Sequence, residues 1–84
     1  MVEQIEMRLK QIIMKYSKLR IRPEDITNKS VIINDFGYDS VSTIKLVIDI
    51  ENEFGIVFED EDMDMGKLGR YASLKEVVTK KILF

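Results

Sequence analysis

The side chain with the clearest chemical potential in this sequence is the hydroxyl of Ser40, which directly follows Asp39 at the start of a predicted helix. Asp39 is a favourable N-cap, because its carboxylate accepts hydrogen bonds from the free N–H groups of the first turn. The Ser40 hydroxyl is then free to face solvent. A phosphate ester at that position would lie at the positive end of the helix dipole, beside unpaired N–H groups. The alternative is that Ser40 merely caps the helix.

The composition argues against catalysis by the chain itself. It has no cysteine and no histidine, so disulfides, thiolate metal sites and the commonest general base are all missing. A serine without a neighbouring base is not activated as a hydrolytic nucleophile. We therefore predict that the chain is not an enzyme. Ser40 is predicted to be the attachment point of a prosthetic group, added by another enzyme that brings its own activation.

A run of acids at residues 60–64 raises the question of a calcium site. Its acids stand where an EF-hand loop has its first, third and fifth ligands. However, Met65 occupies the position that requires glycine, and Tyr71 occupies the position of the bidentate acid. The sequence therefore predicts no metal site, and the acids are interpreted as a helix start that interacts favourably with its own dipole.

The charge is distributed unevenly along the chain. The formal net charge is +3 over residues 1–33, −9 over residues 34–66 and +4 over residues 67–84, although the total is only −2. An acidic middle third favours a basic protein partner and disfavours nucleic acid, whose phosphates it would repel. The alternative is an ordinary solvated acidic face.

Apolar residues at helical spacing predict a small all-α domain. A first helix over residues 2–16 is followed by a long connection over residues 23–39, which includes one short helical turn at Pro23–Asp25 and has apolar residues that pin it to the core. A short helix is expected within residues 59–65. The capping box that begins at Ser73 is expected to open the last helix, in which Glu76 and Lys80 pair.

The helix over residues 40–54 is predicted to be the central one, because apolar residues cover much of its surface. One apolar row is formed by Val41, Ile44, Val47 and Ile48, and a second by Leu46, Ile50 and Phe54. Gly55 is expected to end this helix, Ile56–Phe58 to return to the core, and the methionines to fill core gaps. The whole is a four-helix bundle with three main helices and one short one, a long first loop and almost no strand.

Length and hydropathy indicate one domain over residues 1–84. No segment approaches the length of apolar sequence that spans a bilayer, and the acidic start differs from a secretion signal. We therefore expect a complete, soluble, cytoplasmic protein that is a monomer and does not insert into membranes.

The segment Gly37-Tyr38-Asp39-Ser40-Val41 resembles the Gly-x-Asp-Ser-(Leu/Met/Val) signature of acyl and peptidyl carrier proteins. The run from Thr43 to Phe54 is similar to the second helix of that family, and residues 58–62 are similar to the segment before its short third helix. The resemblance covers nearly the whole chain. It rests on the order, spacing and length of the elements together with the Asp-Ser pair.

The resemblance implies that a phosphopantetheinyl transferase attaches 4′-phosphopantetheine from coenzyme A to Ser40, and that the thiol of this arm carries acyl groups as thioesters. Asp39 would help the transferase to hold its metal ion and recognise the site. Acyl-loading and acyl-transferring enzymes would be the further partners. The residues expected to contact partners are the apolar Val41 and Ile48, the acidic Asp49, Glu51 and Glu53, and Lys45, which stands where the family usually has glutamate.

The resemblance leaves the cargo open. Ser42, Lys45 and Asn52 stand where carriers of fatty acid synthesis often have acids, so the face near Ser40 is less acidic than theirs. Fatty acid, polyketide and related pathways remain candidates. Aminoacyl or peptidyl carriers are the alternative, and residues 50–52 are similar to the D-alanyl carriers of cell-wall teichoic acid modification. A further alternative is an unmodified interaction domain of the same fold.

Overall fold

The computed structural model describes residues 2–84 and consists of helices joined by loops. The α-helices are α1 (Val2–Tyr16), α2 (Ile32–Phe36), α3 (Ser40–Phe54), α4 (Met65–Leu68) and α5 (Tyr71–Leu83), and 3₁₀ turns lie at Pro23–Asp25 and Asp60–Met63. Over these residues the β pairing amounts to one isolated antiparallel bridge, between Val31 and Arg70. The all-α prediction is confirmed. No helix in this part of the chain is long and apolar enough to cross a bilayer.

Three long helices surround one apolar core. Helix α1 forms as expected and packs against both α3 and α5. Its apolar stripe lies at helical spacing, so the stripe turns one face inward and leaves charged residues on the other. The side chains that are essentially inaccessible to solvent are Leu9, Ile13, Ile26, Ile32, Leu46, Ile50, Tyr71, Leu74 and Val78.

The long first connection contains a helix that the sequence did not predict. The 3₁₀ turn at Pro23–Asp25 is confirmed, but α2 occupies part of the segment expected to be loop. Two features stabilise this five-residue helix: burial of Ile32 and Phe36, and a 2.8 Å hydrogen bond from the Val31 N–H to the Asp35 carboxylate. Such a helix is too short to reveal a period in the sequence.

This connection is fixed to the rest of the fold by hydrogen bonds that join residues distant in sequence. The Ile32 N–H donates to the Gly69 carbonyl at 2.7 Å, and the Tyr71 N–H donates to the Ser30 carbonyl at 3.1 Å. The buried hydroxyl of Tyr38 donates to the Ile13 carbonyl at 2.6 Å. Residues just before α3 are therefore held against both α1 and the start of α5.

Helix α3 has the predicted bounds, and Gly55 ends it in the left-handed conformation with φ 66°. Its two apolar rows differ in burial, because most of the first row is exposed. Val47 is buried, but Val41, Ile44 and Ile48 are 60%, 53% and 51% exposed. The reason is that α3 packs mainly against α1, which covers one side of it and leaves the other open.

The segment after α3 also departs from the prediction in detail. Ile56 and Phe58 return to the core, but Val57 between them is 67% exposed, since successive side chains of an extended segment point in opposite directions. The short helix expected within residues 59–65 is a 3₁₀ turn at Asp60–Met63, followed by α4. Nor do methionines fill the core: Met7, Met63 and Met65 are exposed, Met14 is half-buried and Met1 lies outside the described residues.

The predicted capping box at Ser73 is wrong, because α5 begins at Tyr71 with Arg70 as its N-cap. Tyr71 is buried and its N–H is bonded to Ser30, so a long-range contact sets the start of this helix. The pair between Glu76 and Lys80 is confirmed, with 3.2 Å between the carboxylate and the ammonium group.

Candidate prosthetic-group site

Ser40 is the first residue of α3 and is exposed. Its hydroxyl takes part in no hydrogen bond with residues 2–84. The capping role falls to Asp39, as predicted: its Oδ1 accepts from the Ser42 N–H at 2.9 Å. The structure thus confirms that Asp39 caps the helix and that the Ser40 hydroxyl beside it is free of hydrogen bonds within residues 2–84.

Ser42 and Thr43 complete the cap, a role that the sequence did not predict for either residue. The Asp39 N–H donates to Ser42 Oγ at 2.8 Å, so Asp39 and Ser42 satisfy each other's backbone in a capping box. The Thr43 hydroxyl donates to the Asp39 carbonyl at 2.7 Å. The signal was present, since serine three residues after an N-cap aspartate can act in this way. The result is a backbone at Ser40 that is fixed on its C-terminal side.

Lys18 forms an ion pair with Asp39 that was not predicted from the sequence. Its ammonium group lies 2.6 Å from Asp39 Oδ2. This bond, together with the bonds from Ser42, holds the pKa of the Asp39 carboxyl well below its usual range. The two residues are 21 positions apart in sequence, and only the fold brings them together.

The chain before α3 approaches the end of α1 closely at Gly37. The Lys18 N–H and the Ser17 hydroxyl both donate to the Phe36 carbonyl, each at 3.1 Å. Gly37 has φ 71°, and a Cβ there would lie 3.2 Å from the Lys18 Cβ. Glycine is needed for both reasons, conformation and space. These contacts fix the Lys18 backbone beside the start of α3.

The start of α3 has the chemistry to accept a phosphate ester. The N–H groups of Ser40 and Val41 have no acceptor in the described chain, and they lie at the positive end of a 15-residue helix. Lys18 adds a cation that is paired with Asp39, the residue before Ser40. An exposed hydroxyl, two free N–H groups and a neighbouring ammonium group together fit the phosphate end of a phosphopantetheine arm.

An apolar surface follows Ser40 along α3. We call Val41, Ile44 and Ile48 the outer stripe; more than half of each side chain is exposed. Lys45 is exposed beside the stripe and makes no ion pair with residues 2–84. Of the residues predicted to contact partners, Val41, Lys45 and Ile48 are thus accessible next to Ser40. Ile44 was not among them, although the same helical spacing includes it.

The three acids predicted to contact partners are engaged within the fold. Asp49 accepts from the Tyr16 hydroxyl at 2.7 Å and from Lys15 at 3.1 Å, and these bonds lower the pKa of its carboxyl. Glu53 pairs with Arg8, whose Nε lies 2.9 Å from it. Glu51 accepts from the Phe58 N–H at 2.8 Å. The acids of α3 therefore help to fix its neighbours, and Glu53 is the most exposed of the three.

The acidic charge that stays accessible lies elsewhere. We call Glu59, Asp60 and Glu61 the acidic segment; all three are exposed, and none pairs with a cation in the part of the chain that the structure describes. The neighbouring Asp62 is buried and lies 2.8 Å from the Lys81 ammonium group, which lowers the pKa of its carboxyl. Residues 2–84 contain no cluster of three or more acids arranged to hold a metal ion.

Comparison with known families agrees with this geometry. A family model described as a phosphopantetheine attachment site matches residues 8–79, which is most of the chain. The match includes α2, α3, α4 and most of α1 and α5. It favours a modified protein over an unmodified interaction domain. When bound, 4′-phosphopantetheine supplies a flexible arm that ends in a thiol, the group that this cysteine-free chain lacks. The predicted family and cofactor are confirmed: the chain belongs to the phosphopantetheine-binding carrier proteins.

Proposed function

We propose that Ser40 is the residue to which 4′-phosphopantetheine is attached, and that the chain carries acyl intermediates as thioesters to enzymes of fatty acid, polyketide or related biosynthesis. The observation that carries the choice of Ser40 is its accessibility. Of the five serines in the chain, Ser40 alone is exposed. The others are half-buried or buried: Ser17, Ser30, Ser42 and Ser73.

In the attachment reaction, the Ser40 oxygen forms a bond to the phosphorus of the pantetheine phosphate. The bond from that phosphorus to the bridging pyrophosphate oxygen breaks, and the adenosine bisphosphate part of coenzyme A leaves. The hydroxyl proton goes to a base of the transferase. Asp39 is a poor base for it, because Ser42 and Lys18 occupy its two oxygens and its carboxyl pKa is held low. The chain thus supplies the nucleophile and its position, and the transferase supplies the activation.

The outer stripe supports docking of the enzymes that load and unload the arm. Exposed apolar side chains beside an attachment site allow a partner to bury them while it approaches Ser40. Lys45 and the more exposed acid of α3, Glu53, would lie at the border of such a contact. On this proposal the protein is a single-domain, cytoplasmic monomer without catalytic activity of its own.

A carrier of aminoacyl or peptidyl groups, including D-alanyl groups, is the second candidate. The observation that favours it is the charge of the docking face. Asp49 is paired with Lys15, and Lys45, which pairs with no acid within residues 2–84, lies beside the outer stripe. Such a face supports specialised partners more than the basic partners that a strongly acidic helix attracts.

The attachment site is tested by incubating the protein with coenzyme A, magnesium and a promiscuous phosphopantetheinyl transferase, followed by intact-protein mass spectrometry. We expect the mass of one phosphopantetheine to be added to the wild type and none to Ser40→Ala. Ser73→Ala is the matched control and should be modified like the wild type. A wild type that several transferases leave unmodified, or a Ser40→Ala variant that gains the mass, would contradict the proposal.

A further inference from the structure

Lys18 forms an ion pair with the residue next to the attachment site, and the family match gives it no role. Its ammonium group touches Asp39 Oδ2 at 2.6 Å, whereas Asp39 Oδ1 is already used by Ser42. We propose that Lys18 is the counter-cation of the phosphodiester on Ser40 and holds the root of the prosthetic arm at the start of α3. This inference rests on the proposed attachment at Ser40.

Attachment of the arm brings a second negative charge next to Asp39, and Lys18 can offset the repulsion between the two anions. A phosphodiester carries one negative charge, and it would stand on the residue next to the ionised carboxylate of Asp39. Two neighbouring anions repel each other, and a cation that reaches both removes most of that repulsion. The free N–H groups of Ser40 and Val41 help, but they carry only partial charges.

Other cations beside α3 are already used or are placed further along the helix. Lys15 lies 3.1 Å from Asp49, and Arg8 pairs with Glu53, more than two turns from Ser40. Lys45 lies five residues after Ser40, beside the outer stripe. Lys18 is the cation that the fold brings to Asp39, the N-cap that directly precedes Ser40.

The geometry of Lys18 suits a shared contact. Its backbone is fixed, since its N–H donates to the Phe36 carbonyl and its Cβ lies close to Gly37. The Lys18 side chain is 58% exposed, so the ammonium group can turn toward a phosphate without displacing buried atoms. An ammonium group has three donors, which is enough to bond a carboxylate and a phosphate oxygen together. Lys18 is thus a positioning residue for the arm.

The test compares the modified and unmodified forms of four proteins: the wild type, Lys18→Met, Lys18→Arg and Lys15→Met. Lys15→Met is the matched control, because it removes a similar exposed Lys–Asp pair, with Asp49, further along α3. Each protein is converted with coenzyme A and a promiscuous transferase, and mass spectrometry verifies conversion. Thermal unfolding then gives the change in Tm on modification, and ³¹P NMR gives the chemical shift of the phosphodiester.

We expect modification to lower the Tm of Lys18→Met by about 2 to 4 °C more than that of the wild type, as befits an exposed ionic contact in a domain of this size. In Lys18→Arg and Lys15→Met, the change in Tm on modification should equal that of the wild type. The ³¹P resonance should move in Lys18→Met and stay in place in Lys15→Met. Added salt at 1 M should shrink the Tm effect through screening.

Equal Tm changes on modification in the wild type and Lys18→Met, with an unmoved ³¹P resonance, would overturn the role of Lys18. Should Lys18→Met fail to fold, the Tm change on modification and the ³¹P shift are measured on Lys18→Gln instead. Glutamine keeps a polar side chain without the charge, so the same two results test the role of Lys18. Failure of the wild type to accept the arm at all is a different result, which contradicts the attachment proposal itself.

Discussion

The two faces of α3 both carry aliphatic side chains, but one face is buried and the other is exposed. On the inner face, Leu46 and Ile50 are completely buried against the core. On the outer face, Val41, Ile44 and Ile48 leave more than half of their surface in water. Burial of an apolar side chain stabilises the fold by about 1.5–3 kcal/mol, and the outer stripe forgoes most of this. The core therefore does not require the outer stripe to be apolar, and its exposed side chains are available for a contact with another molecule.

The acids of the middle third divide in a similar way. Asp49 and Glu53, at the border between the two faces, are bound to cations of α1. Asp60 and Glu61, in the acidic segment, are exposed and free of such pairs within residues 2–84. The first pair serves the packing of α1 on α3, and the second keeps its charge for solvent or a partner. Charge along the sequence and charge available at the surface are therefore different quantities.

The largest expected effect separates the inner face from the outer one. Leu46→Ala should lower the free energy of unfolding by about 2–5 kcal/mol, because it leaves a cavity in the core. Ile44→Ala, on the exposed side of the same helix, should change it by less than about 0.5 kcal/mol. Urea denaturation followed by circular dichroism measures both. A cost for Ile44→Ala that approaches that of Leu46→Ala would mean that the outer stripe is covered in solution.

A smaller effect is expected from the two classes of acid. The double variant Asp49→Asn/Glu53→Gln removes contacts to α1 and should lower Tm by about 2 to 6 °C. Its matched control, Asp60→Asn/Glu61→Gln, removes the same amount of charge from the acidic segment and should leave Tm within about 2 °C of the wild type. Differential scanning calorimetry compares the two. Equal losses would show that net charge, rather than pairing, governs stability.

The smallest effect concerns the acid limb of the stability profile. The pKa values of Asp39, Asp49 and Asp62 are lowered in the folded protein, by Lys18, Tyr16 and Lys81 respectively as the principal partners. A folded pKa below the unfolded value means that the stabilisation is present above the ordinary carboxyl pKa of 3.8 and is lost as the pH falls through the folded value.

Tm measured from pH 7 down to pH 2 should therefore hold until about pH 4 and then decline. Asp49→Asn should begin at a lower Tm and decline less steeply, since one of the linked protonations is gone. Asp60→Asn, which removes an acid that forms no ion pair within residues 2–84, is the control for the loss of one negative charge. A wild-type slope in Asp49→Asn would contradict the bonds assigned to Asp49 from Tyr16 and Lys15.

Local signals in the sequence were enough to predict the elements that carry the site. The bounds of α1 and α3, the cap at Asp39, the turn at Pro23–Asp25 and the stop at Gly55 all follow from interactions within a few residues. The same local reasoning predicted a free hydroxyl at Ser40, which is exposed in the structure. These features are all set by contacts within about one turn of helix, although the equally local capping roles of Ser42 and Thr43 were not predicted.

Features set by long-range contacts were not predictable in this way. The start of α5 depends on the bond between Tyr71 and Ser30, and α2 depends on burial and on the approach of residue 69. The exposure of the outer stripe depends on which side of α3 faces α1. The capping pattern at Ser73 does not set the start of α5, because the long-range contacts of Tyr71 start the helix two residues earlier.

By itself, the sequence determined that this protein has a helix of 15 residues that begins at Ser40, directly after its N-cap Asp39. Backbone capping and helical periodicity are local, so residue types and spacing suffice for them. Only the tertiary structure decided which charges surround that serine and which apolar side chains stay open. Lys18 meets Asp39 across 21 residues because the contacts at Phe36 and Gly37 bring the chain back to the end of α1. Contacts between residues so distant in sequence depend on tertiary packing, which a local sequence pattern does not specify.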